Sequence, residues 1–259
     1  MNGISGSTRV SEIDRRGNHF VCVFNTWTYL LLMPSVRLDV ISIGTLSRNR
    51  LWGETQPVRT PHATTTLIRA GKRNILVDPG LPAQAMGARL YERTGLRAEQ
   101  IDTVFLTNFR PAHRGGLALF EKATILIHER EQQAFSSHLR NLIDDAPPED
   151  LDRATLAEEL KLVESLKTPE DQLADQVDLF PLFGYTPGTC GLLVAAPTYT
   201  ALIAGDAVPT LDHFLAGQVL PDSGDIQAAQ EAMAEVYEIA DLIVPGHDNI
   251  FLNPRVHGM

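Results

Sequence analysis

The chain has 259 residues and a formal net charge of −10. This length can bury a sizeable core in one large domain or two small ones. The acidic balance argues against nucleic acid as a partner, because phosphate backbones are repelled, although net charge does not report local patches. Its two cysteines, Cys22 and Cys190, form no CxxC pair. They indicate no disulfide framework, and we expect a cytoplasmic protein.

The first 33 residues differ in pattern from the rest. An apolar run at 20–33 follows two arginines and loosely imitates a signal peptide. It is shorter than the roughly 20 apolar residues of a membrane span, so no membrane association is predicted. No small-residue cleavage site follows it, and an orderly strand pattern begins directly after Met33. We therefore favour a mis-assigned start, with 1–33 an extension outside the native protein and 34–259 its functional domain.

The first half of this domain reads as strands followed by a helix. Alternating residues at 36–43 predict a half-buried strand, and two β-branched runs at 64–69 and 74–77 predict a hairpin. Helical spacing predicts a helix at 83–94. Short apolar runs at 101–107 and 123–127 predict buried strands.

The second half repeats this order after a segment of different character. Residues 129–177 are charged and largely helical in pattern, which predicts a helical insertion packed over the domain, a candidate lid. The remaining predicted elements are strands at 177–182, 191–196, 200–203 and 242–244, and a helix at 225–240. Two sheets packed together with helices outside is the natural arrangement for these elements.

Polar motifs follow four of the predicted strands. They are TNFRPAHRGG at 107–116, TPGT at 186–189, GD at 205–206 and PGH at 245–247. Their order and spacing resemble the metallo-β-lactamase superfamily, which reads T-H-x-H-x-D-H-x-G-G, T-P-G-H, G-D and P-G-H. The turn ILVDPG ending at Gly80 is also similar. The resemblance runs from about Val36 to the C-terminus and implies the αββα four-layer sandwich, here with the helical insertion.

The resemblance also implies two metal ions side by side, with a water between them as the nucleophile. The positions that match the first metal's ligands hold Asn108, Arg110 and Thr189. None is a good ligand for a transition metal, and the arginine is the poorest because its guanidinium stays protonated. A fixed cation there opposes a first metal ion.

The second metal's positions are better preserved. Ala112 lacks the family's carboxylate, but His113, Asp206 and His247 remain. Two histidines and one carboxylate leave coordination positions open for water, as in catalytic zinc sites, and the same set suits non-haem iron. Taken singly, each residue has a structural explanation: a helix start for His113, carbonyl partners for His247 and an ion pair for Asp206. We expect one divalent metal, with zinc favoured, iron possible, or none.

These residues support two hypotheses. The first is a divergent one-metal hydrolase that cleaves an ester, lactone, thioester or phosphodiester bond in a small molecule. Asp206 and Arg110 would then be catalytic, with Arg110 binding an anionic substrate or oxyanion. The alternative is an inactive member with a binding or scaffold role, in which an Arg110–Asp206 ion pair replaces the metal. His62 and His213 are weaker candidates for lining the same pocket.

Overall fold

A computed structural model describes residues 7–13, 19–25, 36–147 and 152–257. The chain divides into two compact units, Met1–Ser35 and Val36–Met259. In the first unit, strands Ser7–Ile13 (β1) and His19–Asn25 (β2) pair as an antiparallel hairpin. Met33 lies outside the described residues, so the proposed start at Met33 stays a prediction.

The first sheet of the larger unit has five strands in chain order. They are Arg37–Ser42 (β3), Thr65–Ala70 (β4), Arg73–Val77 (β5), Thr103–Leu106 (β6) and Thr124–Ile127 (β7). β3, β4 and β5 are antiparallel, whereas β5, β6 and β7 run parallel. Parallel neighbours need a crossover connection, and a helix after β5 provides the first of them.

The second sheet has six strands in the order β13-β12-β11-β10-β9-β8. They are Gln172–Ala174 (β8), Val177–Pro181 (β9), Cys190–Ala195 (β10), Thr200–Gly205 (β11), Leu242–Pro245 (β12) and Phe251–Leu252 (β13). Only the β11–β12 pair is parallel, so the ends of these two strands lie at the same edge of the sheet.

Seven α-helices accompany the sheets in the described part of the chain. They are Ala83–Thr94 (α1), Pro111–Arg114 (α2), Glu129–Asp145 (α3), Asp152–Ser165 (α4), Leu211–Ala216 (α5), Ile226–Ile239 (α6) and Pro254–His257 (α7). None of these helices has the length and apolar character needed to cross a membrane.

Three buried apolar clusters separate four layers. Alternate residues of one strand point to opposite faces of a sheet. Leu67 of β4 accordingly packs with residues of α1, α3 and α4, while its neighbour Ile68 packs with the second sheet. In β11, Ile203 joins the cluster between the sheets and Leu202 joins the cluster against α5 and α6. The fold is therefore the αββα sandwich that the sequence predicted.

The predicted helical insertion needs a correction at its end. Helical structure stops at Ser165, and Gln172–Ala174 forms the edge strand β8, paired antiparallel with β9. Val163 is fully buried in the cluster beneath the first sheet, which also contains Leu139 of α3. These two helices therefore belong to an outer layer of the sandwich, packed over the domain as expected, and their role as a lid stays a prediction.

Candidate metal centre

Three strand ends of the two sheets supply the polar residues of the site. A loop follows β6 and leads into α2, where Pro111 occupies the first helical position that its missing N–H favours, and His113 follows two residues later. Asp206 follows the end of β11, and His247 comes two residues after β12. Since β11 and β12 are parallel, their C-terminal ends bring Asp206 and His247 to one edge.

The two imidazoles approach the same carboxylate from different sides. His113 Nε2 lies 2.8 Å from Asp206 Oδ2, and His247 Nε2 lies 2.9 Å from Asp206 Oδ1. One donor atom from each residue lies within 4.8 Å of the others. All three side chains are buried. The structure thus brings together the three residues that the sequence named as candidate ligands.

Asp78 holds the far side of the His113 ring. Its Oδ2 lies 3.0 Å from His113 Nδ1 and accepts a hydrogen bond of 2.7 Å from the Thr107 hydroxyl, while Oδ1 accepts one from the Thr107 N–H. Asp78 also has a φ of 49°, a left-handed conformation that aspartate tolerates better than most residues. The sequence marked this turn, but it did not identify Asp78 as part of the site.

Backbone carbonyls hold the far side of the His247 ring. Its Nδ1 lies 3.1 Å from the carbonyl oxygen of Thr45 and 3.0 Å from that of His62. Nδ1 therefore carries the proton in the neutral ring, and Nε2 is left as the atom that faces Asp206. The His62 ring does not line the cavity beside the site, so its contribution comes through its carbonyl group.

The charges of this cluster reinforce one another. Burial disfavours a charged His113, but the carboxylates of Asp206 and Asp78 outweigh it and raise the pKa of His113 to about 10. Burial likewise disfavours a charged Asp206, yet His113 and His247 hold the pKa of this carboxyl well below its usual range. The carboxylate form, which is the form that binds metal, is therefore favoured at Asp206.

The three residues fit a single divalent ion. Asp206 Oδ1 is buried and accepts no aligned hydrogen bond, although His247 Nε2 is close to it. His113 Nε2 and Asp206 Oδ2 are hydrogen-bonded at 2.8 Å, so a divalent ion between the three residues would take the place of the proton that they share. In metal sites the second ring nitrogen of a histidine is normally held by a carboxylate or a carbonyl group, as it is for both His113 and His247.

The altered ligand positions have different partners. The side-chain oxygen of Asn108 accepts a hydrogen bond of 2.9 Å from the Arg110 N–H, and its amide donates to Asp206 Oδ2 at 3.0 Å. Thr189 is fully buried, and its hydroxyl oxygen accepts a hydrogen bond of 2.9 Å from the Thr186 N–H. Ala112 has no side-chain donor. These positions therefore do not fit a second ion.

Arg110 does not form the ion pair with Asp206 that the alternative hypothesis expected. Among the described residues, the only side chains within 4.0 Å of the Asp206 carboxylate in ion pairs are His113 and His247. The Arg110 guanidinium instead lies over the Tyr185 ring, 5.1 Å from its centroid. Asp206 is already occupied by the two imidazoles, which explains why the expected pair is absent.

Glu131, near the start of α3, forms hydrogen bonds with both loops that carry altered ligand positions, the loop of Asn108 and the loop of Thr189. It is fully buried, and it accepts hydrogen bonds from the Phe109 N–H at 2.9 Å, the Gly188 N–H at 3.0 Å and the Thr186 hydroxyl at 2.6 Å. Burial raises the pKa of Glu131, and these donors partly oppose the rise. Sequence reasoning missed this residue, because a glutamate in a charged helix gives no signal of such partners.

A cavity of about 440 Å³ opens beside the candidate ligands. Its wall includes His213, which the sequence proposed for this role, and the arginines Arg48, Arg50 and Arg110. His213 is buried, its Nδ1 lies 2.8 Å from the Thr210 hydroxyl, and burial lowers its pKa. The volume falls within the range of roughly 300–1,000 Å³ that is typical of small-molecule sites.

The family model of the metallo-beta-lactamase superfamily matches residues 59–247 of this chain. The chain therefore belongs to the metallo-beta-lactamase superfamily, whose members are metal-dependent and usually bind zinc. A search among curated proteins finds no match for it.

Solved structures resemble the chain in fold at low sequence identity. The hydrolase AbOPH of the beta-lactamase superfamily is 17% identical, with a TM-score of 0.57 over 82% of this chain and 84% of that one. AidC, a dizinc quorum-quenching lactonase, is 16% identical, with a TM-score of 0.55 over 90% and 86%. A variant of AiiA from B. thuringiensis, with N-decanoyl-L-homoserine at its active site, is 18% identical, with a TM-score of 0.56 over 83% and 94%.

Proposed function

We propose that this protein is a one-metal hydrolase of small molecules, with His113, Asp206 and His247 as the ligands of a divalent ion. The observation that carries the proposal is the convergence of two Nε2 atoms and a carboxylate whose Oδ1 has no aligned hydrogen bond. The reaction is cleavage of an ester, lactone, thioester or phosphodiester bond by water. One structural relative named above, AidC, is described as a quorum-quenching lactonase, which supports a lactone among these substrate types.

The ion of choice is zinc. Two imidazole nitrogens and one carboxylate form a donor set that catalytic zinc sites use, with a position left for water or substrate. The same donors also accept non-haem iron, which is the second choice. A bound divalent ion would act as a Lewis acid on the scissile group and lower the pKa of a water molecule to about 7.

The protein's own residues then have distinct roles. Asp78 fixes the His113 ring through Nδ1, and the carbonyl groups of Thr45 and His62 fix the His247 ring. With an ion bound, Asp206 would supply a ligand oxygen, and its carboxylate would accept a hydrogen bond from the attacking water. Because all three ligands are buried, bulk water is kept from the reacting bond except through the cavity.

In this proposal the Arg110 guanidinium supplies the positive charge that a second metal ion would supply in a two-metal site. It lines the cavity with His113 and Asp206, and its guanidinium makes no ion pair among the described residues. A fixed guanidinium can donate two hydrogen bonds to an oxyanion that develops during attack. The Tyr185 ring supports the guanidinium from one side and limits its motion.

Metal content of the purified protein tests the proposal first. We expect about one equivalent of zinc or iron by elemental analysis, falling to background in His247→Ala. His138→Ala is the matched control, because His138 is an exposed histidine of α3 that belongs to neither ligand set. Substoichiometric metal that His247→Ala leaves unchanged would reject the metal site.

A substrate panel tests the reaction. We expect the zinc-loaded protein to hydrolyse at least one ester, lactone, thioester or phosphodiester, and Arg110→Gln to lower kcat about 10²-fold or more, as loss of an oxyanion donor does. A fully loaded protein without activity on all four bond types would favour the alternative, a binding or scaffold role for the same fold.

A further inference from the structure

We infer that the ligand of this cavity carries an anionic group, a carboxylate or a phosphate, which Arg110, Arg48 and Arg50 bind. This inference rests on the proposed function for its statement of substrate class: a small ester, lactone or thioester with a second, negatively charged group near enough to the bond that is cleaved for Arg110 to contact both. Anion binding itself can be measured without any hydrolysis, so the two proposals can fail separately.

The charge of the cavity wall differs from that of the whole chain. Three arginines line a single cavity in a protein whose formal net charge is −10. Two aspartates share the wall, and one of them, Asp206, faces His113 and His247. Among the described residues, none of the three arginines forms an ion pair with a carboxylate within 4.0 Å. Their positive charges are therefore available to a ligand.

Arg110 provides the innermost contact. Its Nε is buried and has no hydrogen-bond partner, and its guanidinium lies against the Tyr185 ring. A buried donor without a partner carries a desolvation cost that an incoming acceptor can offset. A carboxylate or phosphate offers two oxygens at the spacing of the guanidinium fork. The chemistry of this position thus favours an oxyanion over a neutral group.

Arg48 and Arg50 reach the cavity from a loop that is held in place. The loop is closed by backbone hydrogen bonds between Thr45 and His62. Its tip is fixed by the Trp52 indole N–H, which donates to the Asp212 carboxylate of α5 at 2.6 Å. Arg48 itself donates to a carbonyl group of the same loop, at Thr55. These contacts hold the loop backbone and the Arg48 side chain before a ligand arrives, which reduces the entropy lost on binding.

Calorimetry on metal-free protein tests the inference directly. The probes are inorganic phosphate and succinate, titrated at low, constant ionic strength. We expect measurable binding of at least one of them, weakened at least about tenfold in Arg110→Gln, as expected for a lost charged hydrogen bond. Arg48→Gln and Arg50→Gln, on the loop between Thr45 and His62, should each weaken it by about two- to fivefold. The tighter probe identifies the preferred anion.

The control is Arg93→Gln, which removes an exposed arginine of α1 that does not line the cavity. It should bind both probes as the wild type does. Failure of both probes to bind, or equal weakening in Arg93→Gln, would overturn the inference. Arg48→Gln and Arg50→Gln lie on a surface loop, so they keep the test valid if Arg110→Gln does not fold.

A kinetic comparison links the anion to the substrate. In matched substrate pairs that differ only in a free carboxylate or its methyl ester, the anionic member should have the lower KM. Arg48→Gln should raise the KM of the anionic member toward that of the methyl ester, because it removes binding away from the reacting bond. Hydrolysis without preference for the anionic member would overturn the substrate class. Phosphate binding without hydrolysis would instead overturn the proposed function.

Discussion

The two halves of the candidate metal centre lie side by side, yet they use their polar atoms differently. In the half formed by His113, Asp206 and His247, the outer ring nitrogens are held and the inner donor atoms face one another. In the half formed by Asn108 and Thr189, the side-chain oxygens accept hydrogen bonds from nearby backbone N–H groups. Burial is common to both halves. Competence to bind a cation therefore depends on whether the candidate donor atoms face one another or are occupied by backbone N–H groups.

Among the substitutions that test this comparison, removal of Asp206 should have the largest effect, which is a loss of zinc affinity. Asp206→Ala leaves two imidazoles without the carboxylate that joins them, so we expect zinc affinity to fall by more than about 100-fold, beyond the effect of losing an outer partner. Competition with a chromogenic chelator measures the affinity. Asp144→Ala, an exposed position on α3, should bind zinc as the wild type does. Equal affinity in the two variants would contradict the contrast.

Loss of the support behind His113 should have a smaller effect. Asp78→Asn keeps a side chain that tolerates the positive φ and can accept from the Thr107 N–H, but its amide group faces His113 Nδ1. We expect zinc affinity to fall about 10–100-fold. The chelator competition used for Asp206→Ala measures this too. Unchanged affinity would mean that the ring is oriented by its packing alone.

A substitution beside Asn108 and Thr189 should change the free energy of unfolding of the protein instead of its metal affinity. Glu131→Gln cannot accept from all three donors, because one oxygen becomes an amide group. We expect the free energy of unfolding to fall by about 1–2 kcal/mol, the cost of an unsatisfied buried donor. Urea denaturation of metal-free protein measures it. Glu129→Gln, exposed on the same helix, should change it by less than about 0.5 kcal/mol. Equal changes would show that the buried network is not the cause.

The smallest expected effect is on metal stoichiometry in Arg110→His. This change removes the fixed cation and restores one family ligand, yet Asn108 and Thr189 keep their hydrogen bonds. We therefore expect stoichiometry to stay at about one ion per chain, since one new imidazole does not complete a site that normally needs three or four ligands. Elemental analysis after dialysis against zinc measures it. Two equivalents would mean that charge alone excludes the second ion.

Fold and candidate ligands could be predicted because they depend on local patterns. Strand alternation located most of both sheets, and four short motifs located His113, Asp206 and His247. The partners of those residues could not be predicted in the same way. The carbonyl groups of Thr45 and His62 lie about two hundred positions before His247 in the chain. Because every residue has a backbone carbonyl group, the residue type does not indicate which of them bonds to His247.

Charged residues misled sequence reasoning for a related reason. Arg110 and Asp206 have opposite charges and neighbouring motif positions, which suggested an ion pair. Asp206 pairs with the two imidazoles instead, and an aromatic ring supports Arg110. The charged pattern at 129–177 similarly hid the short strand β8, because three residues are too few to establish a periodicity. Which of several possible partners a charged residue binds depends on the distances between them in the folded protein, which the sequence does not give.

The loop between Thr45 and His62 has one further consequence. Its two end residues supply the carbonyl groups that hold His247, and its interior supplies Arg48 and Arg50. One short stretch of backbone therefore connects the cavity arginines with a candidate metal ligand. Any coupling that it carries is reciprocal, so an anion that raised zinc affinity would itself bind more tightly to the zinc-loaded protein by the same factor.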